Sequence, residues 1–506
     1  MIASSVERVL AGIALGAIAW PLGRPCASPE FRRAFPTLAS VLVGVVAAYA
    51  VGLALVVPRA PLWQVRALDA IGLAMLLGVR WYAAAARGRA RGWPPGSLRP
   101  FALAPWFDRE FFVEQHRRFG SPFKSVQFVR PMACVVGLAE GLDFMKANEA
   151  ALDPTPMRFG RFIPGGFLRH MPPDLHAVTK TVFAAAFTRD VYGPLESFVR
   201  ATFRAELARM AEASIAAAGG GVSPRRHIQR AMFTNWIRLF LGVEPGSPAR
   251  DRLKSLYRTL DIRNPRHASD RAIRAALAEI ISLVRAEHAA GPCDPGAPRS
   301  ALAALERTRT GALNDAMLVG NLVYLAHTSW ADVSGLLGWV FRMLTEHDAW
   351  AERLRATTER GDGEGAMTLS TRIVMETLRL AQSEHLYRVA RRDLRWGDRV
   401  IPQGWLVRLC VRESHQDPQV FADAGRFDPD RFLERTYSRR EYSPFGGGLR
   451  HACIGEGLTR LVAAAFAEEL ASGFQWRTVA DGAYEYSAWR HWRPSSAWRV
   501  HLTPLA

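Results

Sequence analysis

Cysteine is scarce in this chain: five in 506 residues, at positions 26, 134, 293, 410 and 453, with no CxxC pair among them. That excludes a disulfide scaffold and a zinc ribbon, because the first needs paired thiols and the second closely spaced ones. Acidic residues are also in deficit, 47 against 65 Lys and Arg, which leaves a formal charge of +18. The surplus Arg is spread along the chain, and helix-turn-helix, finger and RNP signatures are missing, so no nucleic-acid partner is expected. No repeat with a period of about 20–50 residues occurs, which excludes a solenoid or propeller. With 49% hydrophobic and 22% charged residues the chain is not a disordered one either, and its length allows one large domain with an accessory segment.

What the first ninety residues do have is apolar length. Thr37 to Val57 is an uncharged run of 21 residues, long enough as a helix to cross a hydrocarbon core of about 30 Å. Ala67 to Ala86 is a second such stretch, interrupted by Asp69 and by Arg80, which can snorkel. Val9 to Trp20 is shorter and reads as a tilted span, a re-entrant piece or the apolar region of a signal peptide. Arg24, Arg32 and Arg33 before the strong run, and Arg87, Arg89 and Arg91 after the last, predict that both flanks stay cytoplasmic. The expectation is a membrane anchor of two to three helices over 1–92, a proline-stiffened hinge at 93–100, and a cytoplasmic domain over 93–506.

Beyond the hinge, Ala, Leu, Arg and Glu recur at three- and four-residue spacing, which predicts a mainly helical domain with strands near 386–411. Ala216 to Pro224 reads as a glycine-rich loop between two helices. The most informative stretch is YSPFGGGLRHACIGEGLTRLVAAAFAEEL at 442–470, where a glycine-rich loop delivers Cys453 just before a helix. Glycines let a backbone turn tightly and bring its N–H groups near a ligand, and a cysteine so placed can be held as a thiolate. Upstream lie FDPDRF at 427–432, a strand region at 384–404, and METLRL at 375–380, in which Glu376 and Arg379 share one helical face.

In this order, and at about this spacing, Glu-x-x-Arg, the strands with Arg388, FDPDRF and FGGGLRHACIG resemble the cytochrome P450 family. The resemblance covers roughly 93–506 and is sharpest in the last two hundred residues. It implies a mainly α fold with small β-sheets, the cytochrome P450 fold, here preceded by transmembrane helices. It implies haem b as cofactor, with Cys453 as the thiolate ligand of its iron. Glu376, Arg379 and Arg431 would lock the cysteine loop to the core. His176 and Lys180, one helical turn apart, would hold the haem propionates together with Arg388, Arg450 and His451. Phe445 would pack beside the sulfur, although it precedes Cys453 by eight positions where the family has seven, with Leu449 as the extra residue.

Residues 321–356 resemble the long helix that crosses the distal face of the haem, where an acid followed by Thr relays protons to dioxygen. One register places Ala331 and Asp332 at those positions; another, shifted by four residues, uses His327, Thr328 and Ser329. Thr328 and Asp332 fall on one face in either case, and the first register is favoured. The implied activity is a membrane-anchored monooxygenase that oxidises a lipophilic small molecule with dioxygen. Its electrons come from a separate partner, a reductase or ferredoxin, since no flavin or iron–sulfur sequence is appended. The absent acid–Thr pair keeps an isomerase, dehydratase or peroxygenase as the alternative. A non-catalytic haem-binding membrane protein is the reading from another class.

Overall fold

The computed structural model of the chain describes residues 92–98, 104–127, 130–154, 162–163, 166–260, 269–290, 300–308, 314–360, 367–382, 385–486 and 491–505. The apolar runs at 9–20, 37–57 and 67–86 lie outside them. Among the described residues no helix is long and apolar enough to cross a membrane. The chain forms two compact units, one from residues up to 155 together with 385–414, the other from 156–384 together with 415–506.

The first unit is built on a sheet of β1 (Phe123–Gln127), β2 (Arg130–Val135), β3 (Leu152–Pro154), β4 (His385–Ala390) and β7 (Leu406–Cys410), in the order β1-β2-β7-β4-β3. Only β2 and β7 run parallel, with Met132 opposite Leu406. Both are almost wholly buried, as expected of strands covered on both faces. Helices α1 (Phe111–Phe119) and α2 (Leu138–Ala147) accompany the sheet, and β5 (Leu394–Trp396) pairs with β6 (Arg399–Ile401) in a hairpin. The strands expected at 386–411 are therefore β4 to β7. The proline segment is drawn onto this sheet: Lys124 donates its N–H to the Pro95 carbonyl, and Trp93 packs edge-on against Trp405. Gly96 is required there, because a Cβ would come within 2.4 Å of the Lys124 carbonyl oxygen.

The second unit is helical: α3 (Pro173–Ala185), α4 (Glu196–Ala216), α5 (Pro224–Leu241), α6 (Ala249–Leu260), α7 (Asp270–Ala290), α8 (Ala301–Arg307), α9 (Asp315–Glu346), α10 (Asp348–Arg360), α11 (Leu369–Leu380) and α12 (Glu456–Gly473). Two antiparallel pairs complete it, β8 (Phe474–Ala480) with β11 (Arg499–Pro504) and β9 (Tyr484–Tyr486) with β10 (Trp492–Pro494). The loop expected at 216–224 is the connection between α4 and α5. Helix starts follow local chemistry. The side chains of Ser300, Asn314 and Thr368 accept N–H groups of the first turns of α8, α9 and α11, and prolines open α3 and α5.

Helix α9 runs through the centre, with 32 residues spanning about 48 Å. Its flank against α5 and its C-terminal half are sealed by Trp236, Trp339, Phe341, Phe466 and Trp498, all nearly inaccessible. The long helix expected over 321–356 is in fact two. His347 leaves the helical conformation at φ −133° and ψ 66°, its ring stacks on Phe427 at 4.8 Å, and α10 begins at the next residue.

Candidate active site

The site is assembled within the helical unit around Cys453. Gly446, Gly447 and Gly448 all have positive φ, 100°, 63° and 74°, a run of backbone that side-chain-bearing residues seldom adopt. Within this turn the Cys453 N–H donates to the Phe445 carbonyl at 2.9 Å, and Leu449 is buried in the loop. The Cys453 sulfur is accessible although protein encloses it, so it faces an internal cavity rather than bulk water. A cavity of about 430 Å3 adjoins it, bordered by Phe445, Lys180, Met375, Glu456 and Arg460.

Burial pushes the Cys453 thiol above its ordinary pKa. Glu456 and Asp332 push the same way, against the Gly455 N–H and the Lys180 ammonium. A cationic metal ion would reverse that balance by favouring the thiolate. Among the described residues no three His, Cys, Asp or Glu side chains group as a metal site. A lone enclosed thiol fits a metal whose remaining ligands come from a prosthetic group.

The loop is held from behind by charges that all find partners. Glu376 and Arg379, on α11, are fully buried and pair through two N–H···O bonds of 2.8 Å. Arg431 donates to the same Glu376 oxygen at 3.0 Å, as does the Asp428 N–H at 2.9 Å. Arg379 also donates to the carbonyls of His415, Ala424 and Arg426, so one guanidinium fixes three points of the segment leading to the loop. His415 passes this on: its Nε2 accepts the Ser443 N–H at 3.1 Å, and its ring stacks on Tyr442, whose hydroxyl donates to the Met375 carbonyl. Burial, with Arg379 nearby, pulls His415 down to about 3, so it is the neutral ring that accepts here. Helix α12 is tied to α4 by Arg200 with Glu468 and Arg204 with Glu469.

On α3, His176 is buried and meets the His451 ring edge-on at 4.5 Å. Lys180 donates to the Arg450 carbonyl at 2.6 Å, while the Arg450 side chain is exposed. These four expected anion-holding residues thus lie together beside the cysteine loop. Arg388 stands on β4 of the sheet unit, buried, with Nη1 donating to the Tyr387 carbonyl.

Helix α9 carries the residues of both registers considered above. His327 is buried with its ring stacked on Tyr257, and Ser329 accepts the Trp236 indole N–H at 2.6 Å, so both serve packing. The Thr328 hydroxyl bonds back to the carbonyls of Tyr324 and Leu325. Asp332, in contrast, is exposed and acts electrostatically on Cys453, and its backbone carbonyl accepts from the Gln382 amide at 3.0 Å. Sequence reasoning passed over His415, Gln382 and Arg169, none of which sits in a motif.

The sequence profile of the Cytochrome P450 family matches residues 337–486 of this chain. The chain is 25% identical over 425 residues to abscisic acid 8'-hydroxylase CYP707A1 of Solanum lycopersicum, covering 78% of this chain and 86% of that one. It is 28% identical over 186 residues to cucurbitadienol 11-hydroxylase of Siraitia grosvenorii, covering 34% and 39%. In fold it is similar to retinoic acid bound cyanobacterial CYP120A1, with TM-score 0.64, 22% identity and coverage of 80% and 96%. It is also similar to a zebra fish cytochrome P450 with abiraterone, with TM-score 0.62, 18% identity and coverage of 78% and 99%.

Proposed function

Because the chain belongs to the cytochrome P450 family, we propose that it works as a membrane-anchored monooxygenase in which Cys453 holds the iron of haem b. Haem with a thiolate ligand supplies the activation and cleavage of dioxygen. One oxygen atom enters a C–H bond of a lipophilic substrate and the other leaves as water, with two electrons and two protons consumed. The electrons come from a separate redox partner. The observation that carries this reading is the placing of Cys453: an enclosed yet accessible thiol on a glycine turn, braced by Glu376, Arg379, Arg431 and His415.

The protein's own part in the reaction is positional and protic. His176, Lys180, His451 and Arg450 offer cationic or donor groups for the propionates on one side of the loop, with Arg388 as a further candidate, and Phe445 caps the sulfur. Asp332 holds the proton for delivery on the opposite side, steadied by the Gln382 amide on its backbone. Thr328, whose hydroxyl is engaged within its own helix, fills space beside it. Relatives hydroxylate abscisic acid and cucurbitadienol, which supports a lipophilic substrate. The run Thr37–Val57 and its neighbours anchor residues 1–92, leaving 93–506 as a haem domain facing the cytoplasm; resistance of the full chain to alkaline extraction from membranes is the expected result.

The defining experiment is the reduced carbon monoxide difference spectrum. The native chain gives the band of a thiolate-bound haem and Cys453→Ser loses it; a band that survives the substitution overturns the ligand assignment. Turnover with NADPH and a surrogate reductase is expected to exceed turnover with peroxide. Activity with peroxide alone would favour the peroxygenase reading, which the carboxylate at 332 and the engaged Thr328 hydroxyl make specific.

A further inference from the structure

Beside α9, the Nε of Arg169 is sealed from solvent with no hydrogen-bond acceptor among the described residues. Asn321, fully buried on α9, accepts the Leu168 N–H at 2.8 Å and donates to the Gly166 carbonyl at 3.1 Å. The Phe167 ring lies 3.9 Å from that of Tyr324. This docking fixes the short turn Leu168–His170 against α9, and with it Arg169. Arg169 is partly buried, its Nε is sealed from solvent without a hydrogen-bond acceptor, and among the described residues no carboxylate pairs with it. The buried arginines Arg379, Arg431, Arg372 and Arg238 of the helical unit do have carboxylate partners: the first two meet Glu376, the third Asp430 and the last Glu244. A guanidinium partly withdrawn from water favours an anion beside it, and none of the described residues supplies one to Arg169.

Its surroundings say where that anion belongs. Tyr324, Thr328 and Asp332 follow each other at four-residue steps and so line one face of α9. Arg169 lies near Tyr324, and Asp332 lies near both Tyr324 and Cys453, so the four form a line of neighbours along this face. Along the helix axis Tyr324 and Asp332 are about 12 Å apart. We propose that Arg169, with the Tyr324 hydroxyl as second donor, binds the carboxylate of a lipophilic carboxylic acid substrate, whose oxidised carbon lies toward Asp332 and Cys453. Burial lowers the pKa of Arg169, the strain a bound carboxylate relieves, and burial raises that of Tyr324, so its hydroxyl keeps the proton it donates.

This inference rests on the monooxygenase reading, and its test separates the two. The full-length haem-loaded chain is titrated with dodecanoic acid and with methyl dodecanoate, following the absorption change as water leaves the iron. The acid is expected to bind about thirtyfold or more tightly than the ester. Arg169→Leu should abolish that preference at unchanged haem content and an unchanged reduced carbon monoxide band, and Arg169→Lys should keep part of it. Tyr324→Phe should reduce it less. Equal binding of acid and ester, no response to either, or loss of haem from both Arg169 variants, as for a propionate partner, would overturn the proposal. A native chain without the thiolate band would instead sink the underlying reading.

Discussion

The bracing of the cysteine loop and the polar face of α9 differ in how their charges are met. Behind Cys453, buried charges are satisfied by protein: Glu376 receives two guanidiniums and a backbone N–H, and Arg379 spends its remaining donors on three carbonyls. On α9 and the turn docked on it, Asp332 is exposed and the Nε of Arg169 has no acceptor among the described residues. Buried charges that close on one another hold a shape, whereas a sealed donor without an acceptor among the described residues, such as the Arg169 Nε, is suited to a ligand.

That contrast can be broken first where it is strongest. Glu376→Gln leaves Arg379 and Arg431 buried without their anion, and should cost about 3–5 kcal/mol of stability in denaturant unfolding of the haem-loaded chain, with loss of the thiolate band. A change within about 0.5 kcal/mol, as for a surface site, would show that the cluster braces nothing. The opposite side should show the reverse signature. Asp332→Asn is expected to leave unfolding unchanged while lowering reductase-driven turnover roughly a hundredfold, and Thr328→Val should change turnover only slightly. A large Thr328→Val effect with a silent Asp332→Asn would restore the other register.

The smallest effect sharpens the comparison through pH. His415 is held down to about 3 in the fold against 6.5 in the unfolded chain, so between those values the unfolded state binds the extra proton. Stability from this residue is complete above pH 6.5 and is lost as pH falls toward 3, at no more than about 1.4 kcal/mol per pH unit. His415→Gln, which can still accept the Ser443 N–H, should flatten that acid slope in urea unfolding measured from pH 7 to pH 5; an unaltered slope would show that the ring is not held neutral.

Much of the bracing side was legible in the sequence because it depends on residues close in the chain or fixed in order. Glu376 and Arg379 share a helical face by spacing alone, and the glycine run announces a tight turn before Cys453 whatever the rest of the chain does. The strands at 385–410 and the helix ends at Ala216 and Pro224 follow from period and from proline and glycine in the same way. Spacing did not reveal that His347 would divide the expected long helix, where its ring stacks on that of Phe427, eighty positions later. Nor could it decide between Asp332 and Thr328, which periodicity puts on one face and which differ only in whether the side chain turns back to its own helix.

What the amino-acid order determined was the thiol, its turn, its bracing pair and the helical character of the domain, all properties of neighbours along the chain. Which polar groups end up without partners was decided only by folding. Arg169 is an ordinary loop arginine until Asn321, 153 residues away from Leu168, fastens its turn beside Tyr324 and excludes water from its Nε. The cost of a buried charge depends on every atom that surrounds it, and those atoms come from parts of the chain that local pattern does not connect.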